Sequence, residues 1–238
     1  MEPSEDFSVV DFQRAVNAAF NEIAERSGRA LLVAGTGLYL TAVVDRLEVP
    51  GTWPEIRERL EAQAVTDLAT LFERLTRLDP VAASRIEPGN ARRVVRALEV
   101  CEGSGRAFSS FGPGMEQYPE VAIAQFGLRW RRDLLALRIE ARVHRMMSEG
   151  LLREVQQLVS SVPLSRTATQ ALGYKELIDH LEGRCSLDEA VETIITRTRQ
   201  FAVRQDRWFR RDPRIRWIDI ETDPLEALPL LQQAVGSA

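Results

Sequence analysis

Apolar residues recur along this chain at two periods, and the switches between them lay out its elements. From Asp11 to Glu25 they fall at Phe12, Val16, Ala19, Phe20 and Ile23. Spacings of three and four place them on one face of an amphipathic helix, which Ser27-Gly28 ends. Ala30 to Ala34 is a short apolar run and reads as a buried strand, and Leu38 to Leu47 as the next helix. Helix, strand, turn and helix in that order predict a parallel α/β sheet. Pro50-Gly51-Thr52 breaks the pattern.

From Trp53 to about Glu102 the period is helical, with starts marked by Pro54, Asp79-Pro80 and Pro88-Gly89-Asn90. Gly103 to Pro119 is rich in Gly, Ser and Pro and reads as a loop. Glu120 to Leu128 alternates as a strand does. Arg132 to Leu158 reads as a long amphipathic helix interrupted at Gly150. Helices follow near Thr169–Leu181, Leu187–Arg210 and Asp223–Val235, with Arg216 to Asp219 a short strand. No internal repeat or low-complexity segment is present. The organisation is an α/β core in two pieces, 1–51 and 113–238, around a helical insertion at 52–112. Three short strands make a thin sheet for 238 residues.

Composition narrows the class. The 45% apolar and 28% charged fractions are those of a soluble globular chain. No apolar run approaches the roughly 20 residues of a membrane helix. The start, MEPSEDFSVVDF, lacks the basic and apolar regions of a signal peptide. A cytoplasmic monomer is the expectation. Cys101 and Cys185 are isolated, which disfavours a zinc cluster or a disulfide framework. His144 and His180 are the only histidines and read as helix-surface residues. No metal ligands are assigned among these residues.

Of the 31 basic residues, Lys175 is the only lysine. A phosphate loop of the form G-x-x-x-x-G-K-[ST] needs a lysine in that pattern, and Leu172-Gly173-Tyr174-Lys175 does not fit it. A net charge of −4 argues against indiscriminate nucleic-acid binding but leaves room for a local basic surface. The run Arg197 to Arg216 is such a place: eight arginines against Asp206 and Asp212. Ile194, Phe201 and Trp208 recur every seven residues as a buried stripe, with Arg197, Arg204 and Arg211 beside it. A solvated face and an RNA-phosphate surface both explain that pattern.

The stretch LLVAGTGLYL, 31–40, runs a predicted strand into Gly35-Thr36-Gly37 and then a helix. Open α/β sheets place their sites at such carboxyl ends. The small glycines would let a substrate approach the backbone. From spacing alone a plain strand–helix turn is the better explanation.

Six stretches, in order, resemble the tRNA dimethylallyltransferases, also called tRNA isopentenyltransferases. They are Phe7-Ser-Val-Val-Asp-Phe12, Ala34-Gly-Thr-Gly-Leu-Tyr39, Asn90-Ala-Arg-Arg-Val-Val-Arg-Ala-Leu-Glu99, Arg138-Ile-Glu-Ala-Arg142, Gln170-Ala-Leu-Gly-Tyr-Lys-Glu176, and Thr198 to Gln205 with Trp208-Phe-Arg210. The resemblance spans residue 6 to about 220. It implies transfer of a dimethylallyl group from dimethylallyl pyrophosphate to N6 of the adenosine beside the tRNA anticodon, with Mg²⁺ as cofactor. It also implies a P-loop NTPase-like parallel sheet, incomplete here.

The chemistry needs cations for the leaving pyrophosphate, an unstacked adenine and a partner for its amine. The resemblance carries over Thr36 as the hydroxyl partner of that amine and Arg142 as the pyrophosphate contact, with Arg138 beside it. It gives tRNA contact to Arg57, to Arg92, Arg93, Val94, Val95 and Arg96, and to Gln170, Ala171, Leu172, Gly173, Tyr174 and Lys175. Arg204 joins this set from the arginine stripe.

Family members begin with a strand, a G-P-T-x-x-G-K-[ST] phosphate loop and an Asp-Ser motif, whose Asp is taken as the base. These 238 residues start after all three. The chain therefore reads as a shortened version of the enzyme, from a late start codon or as a fragment. A non-catalytic tRNA-binding module is the alternative. A phosphotransferase related only by fold is disfavoured by the missing lysine. Without the family's central strand, neighbouring segments are expected to expose backbone groups and apolar faces.

Overall fold

The computed structural model describes residues 2–26, 28–111 and 117–236. In chain order the helices and strands are α1 (Val9–Arg26), α2 (Gly37–Val44), α3 (Pro54–Thr66), α4 (Leu68–Leu78), α5 (Pro80–Ala83), α6 (Ala91–Ser104), β1 (Gln125–Trp130), α7 (Arg132–Ser148), α8 (Leu151–Ser161), α9 (Arg166–Thr169), α10 (Tyr174–Leu181), α11 (Leu187–Phe209), β2 (Ile215–Ile220) and α12 (Leu228–Gly236). Short 3₁₀ turns lie at Phe108–Ser110 and Pro224–Ala227. The chain forms two compact units: Met1–Gly37 with Ala122–Ala238, and Leu38–Val121.

The Leu38–Val121 unit is helical, and its starts are chemical. Asp67 accepts from the Thr70 N–H to cap α4, Asp79 from Ala82 to cap α5, and Asn90 from Arg93 to cap α6. Pro54 and Pro80 stand at helix starts, where a missing N–H costs nothing. The apolar faces meet in a core of Leu60, Leu71, Leu75, Val94, Val95 and Leu98. Cutting Leu71 or Leu75 to alanine would cost about 2–5 kcal/mol.

In the other unit, α7, α8, α10 and α11 bury Val143, Val155, Leu177, Ala190 and Ile194. Gly150, with φ +105°, separates α7 from α8, as the interruption in the pattern predicts. β1 and β2 pair in parallel, Gln125 opposite Ile215 through Trp130 opposite Ile220. Ile218 and Ile220 pack with Phe126, Trp130, Ala227 and Leu231. Arg129 and Asp219 stand opposite each other and form a two-pronged ion pair at 2.5 and 2.8 Å.

Several expectations are corrected. Residues 30–34 are not a buried strand: they form no strand, and Leu31 and Val33 are 85% and 84% exposed. A strand is made by its partner's backbone, and among the described residues nothing pairs with this segment. The sheet of the described residues therefore has two strands. β1 begins at Gln125, later than alternation from Glu120 predicts, because pairing with β2 starts there. α6 runs on to Ser104 before Gly105 closes it in the left-handed region, so the loop starts later than Gly103. Ser27 and residues 112–116, which fall in the predicted helix stop, loop and domain boundary, lie outside the described residues.

Candidate functional site

Thr36 is exposed at the start of α2, between two glycines. Neither Gly35 nor Gly37 is among the glycines with positive φ, so the backbone does not require glycine there. Space does. The Gln205 side chain donates from Nε2 to the Gly35 carbonyl at 2.6 Å. A Cβ on Gly35 would sit 2.7 Å from that nitrogen, and one on Gly37 would fall inside the Trp208 indole. The flanking glycines therefore admit two α11 side chains, where the sequence had them admitting substrate. Gln205 and Trp208, three residues apart, share one face of α11.

The same helix holds two further segments. Arg197 pairs with Glu176, and Glu176 also accepts from the Gly173 N–H at 2.8 Å. Gly173 has φ +97°, a conformation that favours glycine, at the break between α9 and α10. Arg199 reaches α7, donating to Glu140 at 2.7 Å. From Arg197 to Trp208 the helix rises roughly 16 Å. Along that length it anchors the 170–176 turn, the helix bearing Arg142, and the Thr36 turn.

Within the 170–175 segment, Gln170, Ala171 and Leu172 are exposed, Gly173 is buried, and Tyr174 and Lys175 are half-buried. Tyr174 donates its O–H to Glu154. That bond, with burial and the Glu154 charge, pushes the phenol up to about 12.

The arginines separate by what occupies them. On α7, Arg138 lies over the Trp130 ring at 4.2 Å. Arg142, one turn on, is exposed and makes no ion pair among the described residues. On α11 and after it, Arg210 pairs with Asp206 and Arg214 with Asp212. Arg204 and Arg211 lie over Phe201 and Trp208 at 5.8 and 4.8 Å. Arg204, Arg207, Arg211 and Arg216 have no acidic partner among the described residues. The predicted buried stripe is only partly buried: Ile194 is in the core, Trp208 is half-buried and Phe201 is exposed.

In the helical unit, Arg92 and Arg93 are exposed at the start of α6 and carry no ion pair among the described residues. Val94 and Val95, which the sequence groups with them as tRNA contacts, have both side chains in the core. A helix turns 100° per residue, so four neighbours cannot share one surface. Arg96 is held by the buried Glu99 at 3.0 Å and by the Pro50 carbonyl at 2.8 Å. Arg57 pairs with Glu61 at 2.9 Å and lies 3.8 Å from Glu99. Glu99 also accepts from the Trp53 N–H at 2.9 Å. Neither Glu99 nor Gln205 has a role that sequence alone names, and Trp208 enters there only as part of the apolar stripe. The visible signals are a carboxylate among buried positions, and two glycines flanking one hydroxyl.

The sequence model of IPP transferases matches residues 1–212. The chain belongs to the IPP transferase family. A tRNA dimethylallyltransferase of Paenarthrobacter aurescens is 46% identical over 220 residues, 92% of this chain and 70% of that protein. The full-length tRNA isopentenylpyrophosphate transferase of Bacillus halodurans superposes with a TM-score of 0.66 at 34% identity, covering all of this chain and 75% of its own. A eukaryotic dimethylallyltransferase solved acting on tRNA gives 0.75 at 24% identity over 99% of this chain and 62% of its own, a likeness of fold. The family fold is P-loop NTPase-like, and the parallel β1–β2 pair is its sheet in the described residues. Among those residues no helix is long and apolar enough to cross a membrane.

Proposed function

We propose that this IPP transferase-family chain transfers a dimethylallyl group from dimethylallyl pyrophosphate to N6 of the adenosine beside the tRNA anticodon. The observation that carries the reading is the exposed Thr36 turn, gripped by the helix that also anchors the 170–176 turn and α7. In this reading the C–O bond to pyrophosphate breaks and the N6–C bond forms. One N6 proton passes to a base, a role the family resemblance gives to the Asp of an Asp-Ser motif that these 238 residues do not contain. Thr36 orients the amine. Arg142, whose charge no neighbouring acid neutralises, stabilises the leaving pyrophosphate.

Arg57, Arg92, Arg93 and Arg96 of the 52–112 insertion, the 170–175 segment and Arg204 grip the tRNA. Phosphate contact falls first to Arg92, Arg93 and Arg204, which have no acidic partner. Mg²⁺ would supply charge to the pyrophosphate as its counter-ion. Among the described residues no three His, Cys, Asp or Glu side chains gather to hold a metal. The reading takes the protein as a cytoplasmic monomer.

The test is transfer by this chain: unmodified tRNA, dimethylallyl pyrophosphate and Mg²⁺, with the digested nucleosides read by mass spectrometry. Prenylated adenosine supports the reading. Salt-sensitive tRNA binding by folded protein without product puts the binding module in its place. Folded protein that neither binds nor modifies tRNA overturns both.

A further inference from the structure

Residues 30–35 belong to no helix or strand. Among the described residues, one hydrogen bond ties them to the rest of the chain: Gln205 to the Gly35 carbonyl. The next attachment is Gly37, seated against the Trp208 indole. Leu31 and Val33 face solvent and only Leu32 is half-buried, so burial does little to hold the segment. The conformation in which Thr36 is presented thus depends on two side chains from one face of α11, about 170 residues further along the chain.

Their placement is specific. Trp208 packs against Gly37, and the Arg211 guanidinium sits 4.8 Å from its ring. Gln205 follows Arg204, which is exposed and without an acidic partner. The residues that fix the turn therefore alternate along α11 with the arginines offered to phosphate.

We infer that Gln205 and Trp208 are positioning residues of the Thr36 turn: they hold the Thr36 hydroxyl where it meets the adenine amine. The inference rests on the reading of Thr36 in the proposed transfer. In mechanistic terms a small displacement of an orienting hydroxyl lowers turnover steeply while tRNA binding, spread over many contacts, stays.

Two measurements test it on the whole chain. Limited chymotrypsin digestion reads the turn through cleavage at Leu38 and Tyr39. Gln205→Ala and Trp208→Ala are expected to speed that cleavage about fivefold or more, the loss of one hydrogen bond's worth of restraint, while other sites are cut at parental rates. Steady-state transfer is expected to show kcat down about a hundredfold with the KM for tRNA within about twofold. Gly37→Ala should reproduce the loss, and Gly37→Ala in the Trp208→Ala background should cost little more than Trp208→Ala alone, because the indole it strikes is gone.

Unchanged cleavage in both single variants overturns the inference, as does faster cleavage with unchanged kcat. If Trp208→Ala fails to fold, Gln205→Ala and Gly37→Ala decide. A parent chain that makes no product overturns the proposed transfer, and the cleavage rates then decide alone whether α11 fixes the turn.

Discussion

Glu99 and Arg96 meet at 3.0 Å, three residues apart on α6, with the carboxylate fully buried. The glutamate also accepts from the Trp53 N–H and lies 3.8 Å from Arg57. One buried charge thus joins the start of α3 to the middle of α6. Removing one partner of a buried pair leaves the other uncompensated, so Glu99→Ala is expected to destabilise the chain by about 3 kcal/mol. Glu99→Met with Arg96→Met should recover much of that loss. Urea unfolding of the parent, Glu99→Ala and the double variant checks it, and a double variant as unstable as the single would refute it.

Arg92 and Arg93 differ from Arg96 in having nothing else to hold. Changing either to Gln should weaken tRNA binding and reduce the slope of log K against log salt by about one. Thermal stability should stay within about 0.5 kcal/mol. Val94→Ala should do the reverse, lowering stability and leaving the slope intact. Binding titrations across a salt series distinguish the two.

Asp79 predicts an acid limb of stability. Burial alone would raise its pKa. The N–H and O–H bonds from Ser109, at 2.7 and 2.8 Å, and the N–H bond from Ala82, at 2.9 Å, outweigh it and hold the carboxyl below its usual range. A depressed folded pKa gives stability that is present above the unfolded value of about 3.9 and is lost as pH falls through the folded one. Asp79→Asn should remove part of that acid dependence and cost about 1 kcal/mol near neutrality. Denaturation at stepped pH measures both.

Tyr174 predicts an alkaline one. Its phenol is raised to about 12 by the bond to Glu154, then by burial and the Glu154 charge. Its contribution to stability is present below the ordinary value of about 10 and is lost as pH rises toward 12. Absorbance titration of the phenolates should show one tyrosine at about 12, and Glu154→Gln should bring it down.

The helices were legible in the sequence because their signals are local. Asp67, Asp79 and Asn90 cap the helices whose starts they mark, and α1 and α11 follow their apolar period. The predicted strand at 30–34 failed because pairing is non-local: the pattern of Leu31 and Val33 names a conformation but not a partner. Arg142 could be found from its motif, but its freedom from acids could not. Gln205 and Trp208 lay inside a recognised motif and still went without a positioning role, since their contact is with glycines some 170 positions away.

α11 is 23 residues long, and its attachments are set at fixed intervals along it. It therefore works as a ruler. Each residue adds about 1.5 Å and 100°, so inserting one alanine between Thr198 and Arg204 would leave the Glu176 end in place and swing Gln205 and Trp208 away from the turn. The spacing of this helix, as much as any side chain on it, keeps the exposed arginines of α11 and the Thr36 hydroxyl in a common frame.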